Sequence, residues 1–570
     1  MKQDILKLRH SAAHLLGHAV SELFPGTLLT IGPATEEGFF YDFLPIKNFK
    51  EEDLVLITER MNQLANKNLK LEHTEISKEK AREIFANNPF KLELISMIPG
   101  ETVGLATQGD FVDLCKGGHI ETTGQLKHFK LTGISGSYWR ANRENQVLQR
   151  ISGIVFPTAE ELALHEQRIE DAQQFDHRKL GKQLDYFSFQ DEGVGFPFFH
   201  PHGQAVVNTL VAQMRKIHKK FDYQEITTPT MLSDELWRRS GHYAHYKDNM
   251  YFSCIDERSY AIKPMNCPGA LLVYNHKPRS YKEFPLKLAE FGHVHRHELS
   301  GVLNGLKRAR AFTQDDAHIF CTLEHVEEQI TTIVDIAKKL YAHCGFSEIK
   351  FAISTRPENA LGDNETWEKA TNALKNALTK LNLSFEIKAG EGAFYGPKIE
   401  MHILDSMNRS WQCGTAQVDF FLPANFDIHY INSRGEKQRP VMVHQAIYGS
   451  IERFFAILLE HHKGNLPAWL SPIQARVMPI TDDQREYAQT ILASLKQHGI
   501  RADIDVSSDP LSGQIKSAQA EKIPFMIIVG KKELENNTLT IRMRDNKQES
   551  GLNISQLLEK LDQINNPTLL

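Results

Sequence analysis

Two short stretches near the N-terminus carry the residue types that catalysis and metal binding use. His10-Ser-Ala-Ala-His14 sets two imidazoles at i and i+4, which share one face of a helix. Asp113-Leu-Cys115-Lys-Gly-Gly-His119 adds a carboxylate, a thiol and a third imidazole. An HxxxH together with a CxxxH is a ligand pattern for zinc, so a zinc hydrolase is the reading these residues give unaided; a structural histidine pair is the plainer alternative. Farther along, Arg296-His-Glu298 places a guanidinium and a carboxylate two residues apart, on one face if the segment is a strand. Such a pair can hold an ATP α-phosphate and the adenine edge, although R-x-E alone more often marks a surface ion pair. Gly449-Ser-Ile-Glu-Arg453-Phe-Phe leads a helix with an arginine among apolar neighbours. A buried-side arginine costs energy unless it meets an anion, which leaves a phosphate partner and a salt-bridged core arginine as two readings.

These groups need elements to hold them, and 570 residues supply more than one domain. Residues 1–157 mix turns (Phe24-Pro25-Gly26, Gly32-Pro33) with amphipathic stretches such as Glu51 to Lys67, and an α+β domain is expected. Residues 158–175 have helical spacing at Leu162, Leu164 and Ile169, with Thr158 and Glu161 placed as in a capping box; a linker helix is expected. From 176 to 467, runs such as FDYQEITTP and KFAISTRP alternate with helices (Glu324 to His343, Thr366 to Leu381). That is the texture of an antiparallel-sheet enzyme core without a βαβ rhythm. Pro467 and Pro472 break the chain. Residues 468–570 then alternate QARVMPI, a helix from Asp483 to His498, RADIDV, a second helix and PFMIIVG, which predicts a small α/β domain on a parallel sheet.

Composition narrows the class. Hydrophobic residues at 41% and charged residues at 24% suit packed globular cores. No run approaches the roughly twenty consecutive apolar residues of a membrane span, and the polar, mixed-charge start from Met1 to Arg9 is unlike a signal peptide. Six cysteines without a CxxC pair suit a reducing, cytoplasmic setting in which a functional cysteine acts as a thiolate. A net charge of −5 is neutral about a nucleic-acid partner, since only the contact surface must be basic.

The order Pro229 in TTPTM, R-x-E at Arg296 and G-x-x-x-R at Arg453 resembles the three motifs of class II aminoacyl-tRNA synthetases. Around them KPMNCPG (263–269), RAFTQDDAHIFC (310–321), GEGAFYGPKIE (390–400), WQCGTAQVDF (411–420) and PVMVHQAIYGSIERF (440–454) resemble the threonyl-tRNA synthetase family. The likeness runs from His10 into the C-terminal domain. It implies a ligase that activates threonine with ATP, transfers it to tRNA(Thr) and hydrolyses mischarged Ser-tRNA(Thr). The expected architecture is an N-terminal α+β editing domain, a class II antiparallel core and a C-terminal α/β anticodon-binding domain. It also implies a zinc ion on Cys267, His318 and His444, a set whose wide separation makes it a weak signal without the resemblance. Threonine and valine are near-isosteric and an apolar pocket separates such pairs poorly, so a metal that takes the amino group and the hydroxyl together would reject valine.

By the same resemblance Asp316 holds the hydroxyl, and Met265, Gln314, Tyr395, Gln412 and Ser450 belong to the substrate pocket. Arg296, Arg308 and Arg453 neutralise the phosphates of ATP, which brings magnesium; Glu298 and Phe312 meet the adenine, and Gln417 lies near the phosphates. Serine lacks only one methyl, a difference of about 1–3 kcal/mol, so a second, hydrolytic sieve is expected. The resemblance assigns it to His10, His14, Lys91, Asp113, Cys115 and His119 without a required metal. Glu533 and Arg542 match anticodon-contacting positions, and the Pro229 motif implies a homodimer.

The sequence departs from the family pattern at Ala270 (usually His), Ala311 (Gly), Gln445 (Arg) and Ser508 (Asn), and it opens directly on the editing domain where bacterial members usually begin with a ubiquitin-like one. Two rivals follow: a synthetase-like paralogue with a regulatory, RNA-binding or inhibitor-resistance role, and a hydrolase devoted to mischarged tRNA. Retention of every zinc ligand and class II signature residue speaks against both.

Overall fold

The computed structural model describes residues 2–565 apart from 36, 143, 359 and 406–408. Two compact units emerge, Met1–Glu170 and Asp171–Leu570.

In the first unit, the helix Lys2–Leu23 buries Ala12, Ala13, Leu15, Leu16, Ala19 and Val20 against an antiparallel sheet. That sheet has the strand order Leu28–Leu29, Phe39–Leu44, Val147–Phe156, His128–Tyr138. A second, three-stranded sheet runs Leu71–Ser77, Thr102–Gln108, Phe111–Leu114, and its last strand stops one residue short of Cys115. The helix Ala159–Gln174 buries none of its residues, and the Thr158 hydroxyl accepts the Glu161 N–H at 3.2 Å as the capping spacing predicts.

The second unit is built on an eight-stranded sheet. Its order is Gln224–Glu225, Leu286–His295, Ala311–Cys321, Val441–Ser450, Ser410–Asp419, Lys398–Leu404, Ile349–Ser354, Phe385–Lys388. All neighbours are antiparallel except the outermost pair at each edge. Helices Val326–His343 and Ile451–His461 cover it with Ile330, Val334, Leu340, Phe454, Phe455 and Leu458 in one continuous core. FDYQEITTP, expected as a strand, contributes only Gln224–Glu225. Pro229 has no N–H to donate, and Thr228 turns its N–H and hydroxyl to the buried Glu290 carboxylate (2.8 and 3.0 Å) instead of to a neighbouring strand.

One irregularity in this sheet matters for everything that follows. Between Gln314 and Asp316 the register slips, so that Ile447, Tyr448 and Gly449 together face Asp315. On either side of that bulge His318 pairs with His444 and Gln314 with Ser450.

At the C-terminal end, Ala502–Ile504, Ala475–Pro479 and Phe525–Val529 are parallel as expected, but the hairpin Leu539–Met543/Gln548–Leu552 adds two antiparallel strands. The sheet is therefore mixed. The signal was present in Asp545-Asn546, where Asn546 turns the chain at φ 66°.

Phe454 packs with Tyr341, Phe346 and Tyr448 at the centre of the core. Phe454→Ala should destabilise the second unit by about 3–5 kcal/mol, measured as an earlier midpoint in denaturant unfolding followed by tryptophan fluorescence.

Candidate functional site

The slip opposite Asp315 leaves three successive backbone N–H groups without a strand partner. Asp315 takes all of them: Ile447 at 2.9 Å, Tyr448 at 2.8 Å and Gly449 at 2.8 Å. Burial pushes this carboxyl up to about 7 in spite of those bonds. Gly449 then turns at φ 76°, where a Cβ would lie 2.3 Å from the Cys413 carbonyl oxygen, so only glycine fits. Ser450 caps the following helix by accepting the Arg453 N–H at 3.1 Å, and that helix aims Arg453 back over the sheet.

Around this corner lies a cavity of about 370 Å³. Every residue expected at the zinc, threonine and ATP positions lines it, from Met265 and Cys267 to Ser450 and Arg453. Cys267 opens the helix Cys267–Tyr274. Its sulfur and one nitrogen each of His318 and His444 lie within 4.8 Å of one another, all three residues buried. His444 Nε2 is 2.9 Å from Asp419 Oδ2, which leaves Nδ1 for the cluster. His318 Nε2 is buried without a hydrogen-bond partner. Burial raises the Cys267 thiol and lowers His318, so both are neutral by themselves. An orphaned imidazole nitrogen, a second imidazole oriented by a carboxylate and an enclosed thiol form a donor set that fits a soft divalent cation.

Asp316 lies beside this set. The Asn266 amide donates to it at 3.1 Å, and enclosure raises its carboxyl to about 6. Arg296 and Glu298 are not a face-sharing pair on a strand: the strand ends at His295 and Glu298 N–H folds back to the Arg296 carbonyl at 2.8 Å, although both residues line the cavity. Arg296 stands 5.1 Å from the Phe312 ring, while Glu298 binds Arg308 at 2.9 Å. Tyr395 donates to Gln417 at 3.1 Å. Sequence reasoning passed over Asn266 and Asp419, which hold Asp316 and His444, and over Lys307 in the cavity wall. Asp419 could have been found, since it lies two residues from Gln417 on one strand. Of the departures, Ala270 is fully buried one turn beyond Cys267, Gln445 accepts the Tyr223 hydroxyl at 2.5 Å, Ala311 pairs with His295, and Ser508 is exposed.

The first unit gathers the other cluster. His10, His14 and His119 each bring Nε2 to within 3.2–3.4 Å of the Cys115 sulfur. His14 Nδ1 meets Asp113 at 3.1 Å, and Asp113 also accepts from Lys91 and, at 2.6 Å, from the Tyr41 hydroxyl. Although burial opposes every charge here, the imidazoles pull the Cys115 thiol down to about 3. Asp113 and the thiolate lift His14 to about 9 against the same burial. The spacing of a metal site is realised, with all four donor atoms within 4.8 Å. Yet the chain itself supplies opposite partners: Lys91 meets Asp113, and His14, held up, lies against Asp113 and the Cys115 sulfur, held down. Tyr41 and His73, which accompanies the Cys115 carbonyl at 3.3 Å, were not expected.

A third histidine–carboxylate group, Asp176, His177 and Glu460, already contains a cation: the Lys307 ammonium is 2.6 Å from Glu460. Glu533 and Arg542 lie on ordered elements. Glu533 belongs to the helix Lys531–Asn536 and accepts from Gly530 N–H and the Thr540 hydroxyl, both at 3.0 Å; Arg542, on Leu539–Met543, donates to Asn546 at 2.8 Å.

Comparison with known proteins finds three matched segments. Residues 251–462 match the tRNA synthetase class II core domain (G, H, P, S and T), 474–564 an anticodon binding domain, and 103–152 the threonyl and alanyl tRNA synthetase second additional domain. A threonine–tRNA ligase of Acetivibrio thermocellus is 50% identical over 94% of this chain and 85% of its own. One of Caldanaerobacter subterraneus is 49% identical over 97% and 86%. Among solved structures, the RNA binding domain of threonyl-tRNA synthetase from Cryptosporidium parvum is 40% identical, with a TM-score of 0.67, over 69% of this chain and 99% of that one. Prolyl-tRNA synthetase of the same organism, at 15% identity and a TM-score of 0.54 over 69% and 75%, shares the fold.

A thiol held down to about 3 remains a thiolate from pH 8 to pH 5. Alkylation of Cys115, followed by peptide mass spectrometry, should therefore stay nearly flat across that range, whereas a thiolate fraction set by an ordinary pKa of about 8.5 falls roughly a thousandfold.

Proposed function

Because this chain belongs to the threonyl-tRNA synthetase family and is a class II threonine–tRNA ligase, we propose a division of labour between its two clusters: selection of threonine at the central cavity, and clearance of serine at Cys115. The observation that supports this reading is the meeting of Cys267, His318, His444 and Asp316 in one cavity with Arg296, Arg308 and Arg453.

Cys267, His318 and His444 would hold a zinc ion, which when bound supplies a Lewis-acid contact for the amino group and hydroxyl of threonine together. Asp316, oriented by Asn266, accepts the substrate hydroxyl. Valine brings no hydroxyl and would leave the carboxylate oxygen not held by Asn266 without a donor, a larger penalty than any missing methyl. The threonine carboxylate attacks the α-phosphorus of ATP, accompanied by magnesium; the new carboxyl–phosphate bond forms as the bond to pyrophosphate breaks. Arg296, Arg308 and Arg453 offset charge on the transferred group, and no enzyme nucleophile is required. A hydroxyl at the 3′ end of tRNA(Thr) then takes the threonyl group and AMP leaves. Glu533 and Arg542 are assigned to the anticodon, and the Pro229 segment to a homodimer interface.

Serine retains the hydroxyl and is activated too. Water cleaves its ester with tRNA(Thr) at the first-unit cluster: the new carboxyl–oxygen bond forms as the bond to the tRNA hydroxyl breaks, an imidazole other than the protonated His14 passes the water proton to that leaving oxygen, and Lys91 and Asp113 fix His14. The opposite partners around Cys115 support a metal-free site. No described helix is long and apolar enough to cross a membrane; a cytoplasmic enzyme is the reading adopted. A silent regulatory copy is not favoured, because the cavity keeps its full set of arginines and zinc donors.

The test is ATP–pyrophosphate exchange with threonine, serine and valine, before and after zinc removal. Exchange is expected with threonine and serine, and at least about a hundredfold less with valine; chelation should abolish it and zinc restore it. No exchange from folded, zinc-loaded protein would overturn the reading. Cys115→Ala should leave exchange unchanged and abolish deacylation of Ser-tRNA(Thr), followed by release of labelled serine.

A further inference from the structure

Arg453 spends two of the five N–H groups of its guanidinium on backbone: Nε donates to the Lys307 carbonyl at 2.8 Å and Nη1 to the Gln412 carbonyl at 3.1 Å. These are its hydrogen-bond partners among the described residues, and the remaining three N–H groups are left to the cavity it lines. The direction of the arginine is thus set by two peptide carbonyls from segments far apart in sequence. Both segments are tied to one buried carboxylate. Asp405 Oδ2 is 3.4 Å from Lys307 Nζ and accepts the Trp411 indole N–H at 2.7 Å, one residue before Gln412. The Lys307 ammonium also lies 4.7 Å from the centre of the Trp411 ring.

The anchorage continues on the far side of Lys307. Its ammonium binds Glu460 at 2.6 Å; Glu460 accepts from His177 Nδ1 at 2.8 Å, and His177 Nε2 accepts the Leu306 N–H at 3.2 Å. Asp405, Lys307, Glu460 and His177 are all buried, and Arg409 donates to Asp405 at 2.7 Å from the rim. A buried ammonium between two carboxylates could serve stability alone. The placement argues otherwise, because each of the two carbonyls that grip Arg453 belongs to, or directly follows, a residue whose side chain is bound to Asp405 Oδ2.

We propose that Asp405 is a positioning residue for amino-acid activation: by clamping Lys307 and Trp411 it fixes the two carbonyls that aim the Arg453 guanidinium at the nucleotide phosphates. This rests on the phosphate role given to Arg453 above. Loss of the clamp lets the guanidinium swing between the carbonyls, and a reacting-group misplacement of about 1 Å costs on the order of a hundredfold in rate.

The test uses the full, zinc-loaded chain and compares exchange kinetics of D405N, R453A and the double variant. D405N should lower kcat/KM for ATP roughly 10–100-fold, with threonine KM and zinc content within about twofold, and should add no more than about twofold to the loss in R453A. Losses that multiply in the double variant would overturn the clamp while leaving the phosphate role of Arg453 intact. If R453A exchanges normally, that role falls and the clamp falls with it. Should D405N fail to fold, Trp411→Phe keeps the ring over Lys307 and removes only the N–H to Asp405. A selective loss in the ATP parameter would then support the clamp, and unchanged kinetics would overturn it.

Discussion

The second unit depends on how Asp315 resolves a mismatch in its central sheet. Three residues of one strand face one residue of the next, and three N–H groups would be buried without partners. Leaving a single such group unmade costs about 1–3 kcal/mol, so the bulge survives only because a carboxylate accepts all three. From this correction follow the turn at Gly449, the cap at Ser450 and the direction of the Arg453 helix. On the other side of the bulge the register recovers and brings His318 opposite His444. The slip thus presents two imidazoles of the candidate metal-binding set and a helix-borne arginine to the same cavity.

The first unit meets a similar difficulty by alternation of charge. A thiol and a carboxylate buried together would ordinarily both be protonated. Here three imidazoles, an ammonium and a phenol are arranged so that each negative group faces positive or donating ones. Desolvation is the largest single influence on His14, Asp113 and Cys115 alike, and in each case the surrounding partners together outweigh it. The same logic places Lys307 between Asp405 and Glu460, where a His–Asp–Glu constellation that resembles a metal site is already neutralised by the chain itself.

Much of this was legible in the sequence and some of it could not have been. His10 and His14 fall on one helical face because the i, i+4 spacing is local, and the Thr158 cap is local too. The family resemblance carried Cys267, His318 and His444, which no spacing rule connects. What failed was whatever depended on tertiary partners. Arg296 and Glu298 suggested a strand pair because nothing in R-x-E says where the strand ends. The TTP segment looked extended and was drawn off by a buried glutamate 62 residues away. Asp405 gave no signal at all, since its meaning lies in which carbonyls its neighbours carry.

The helix Ala159–Gln174 has one more consequence. It is 16 residues long and buries none of them, so packing contributes little to its helicity. Isolated helices shorter than about 12–15 residues are marginal in water, which leaves this one near the threshold and reliant on its Thr158 cap and on surface pairs such as Lys130–Glu166. Its amides should therefore open to solvent at a small free-energy cost while the cores remain closed, which offers a protease a cleavable stretch in an otherwise folded chain.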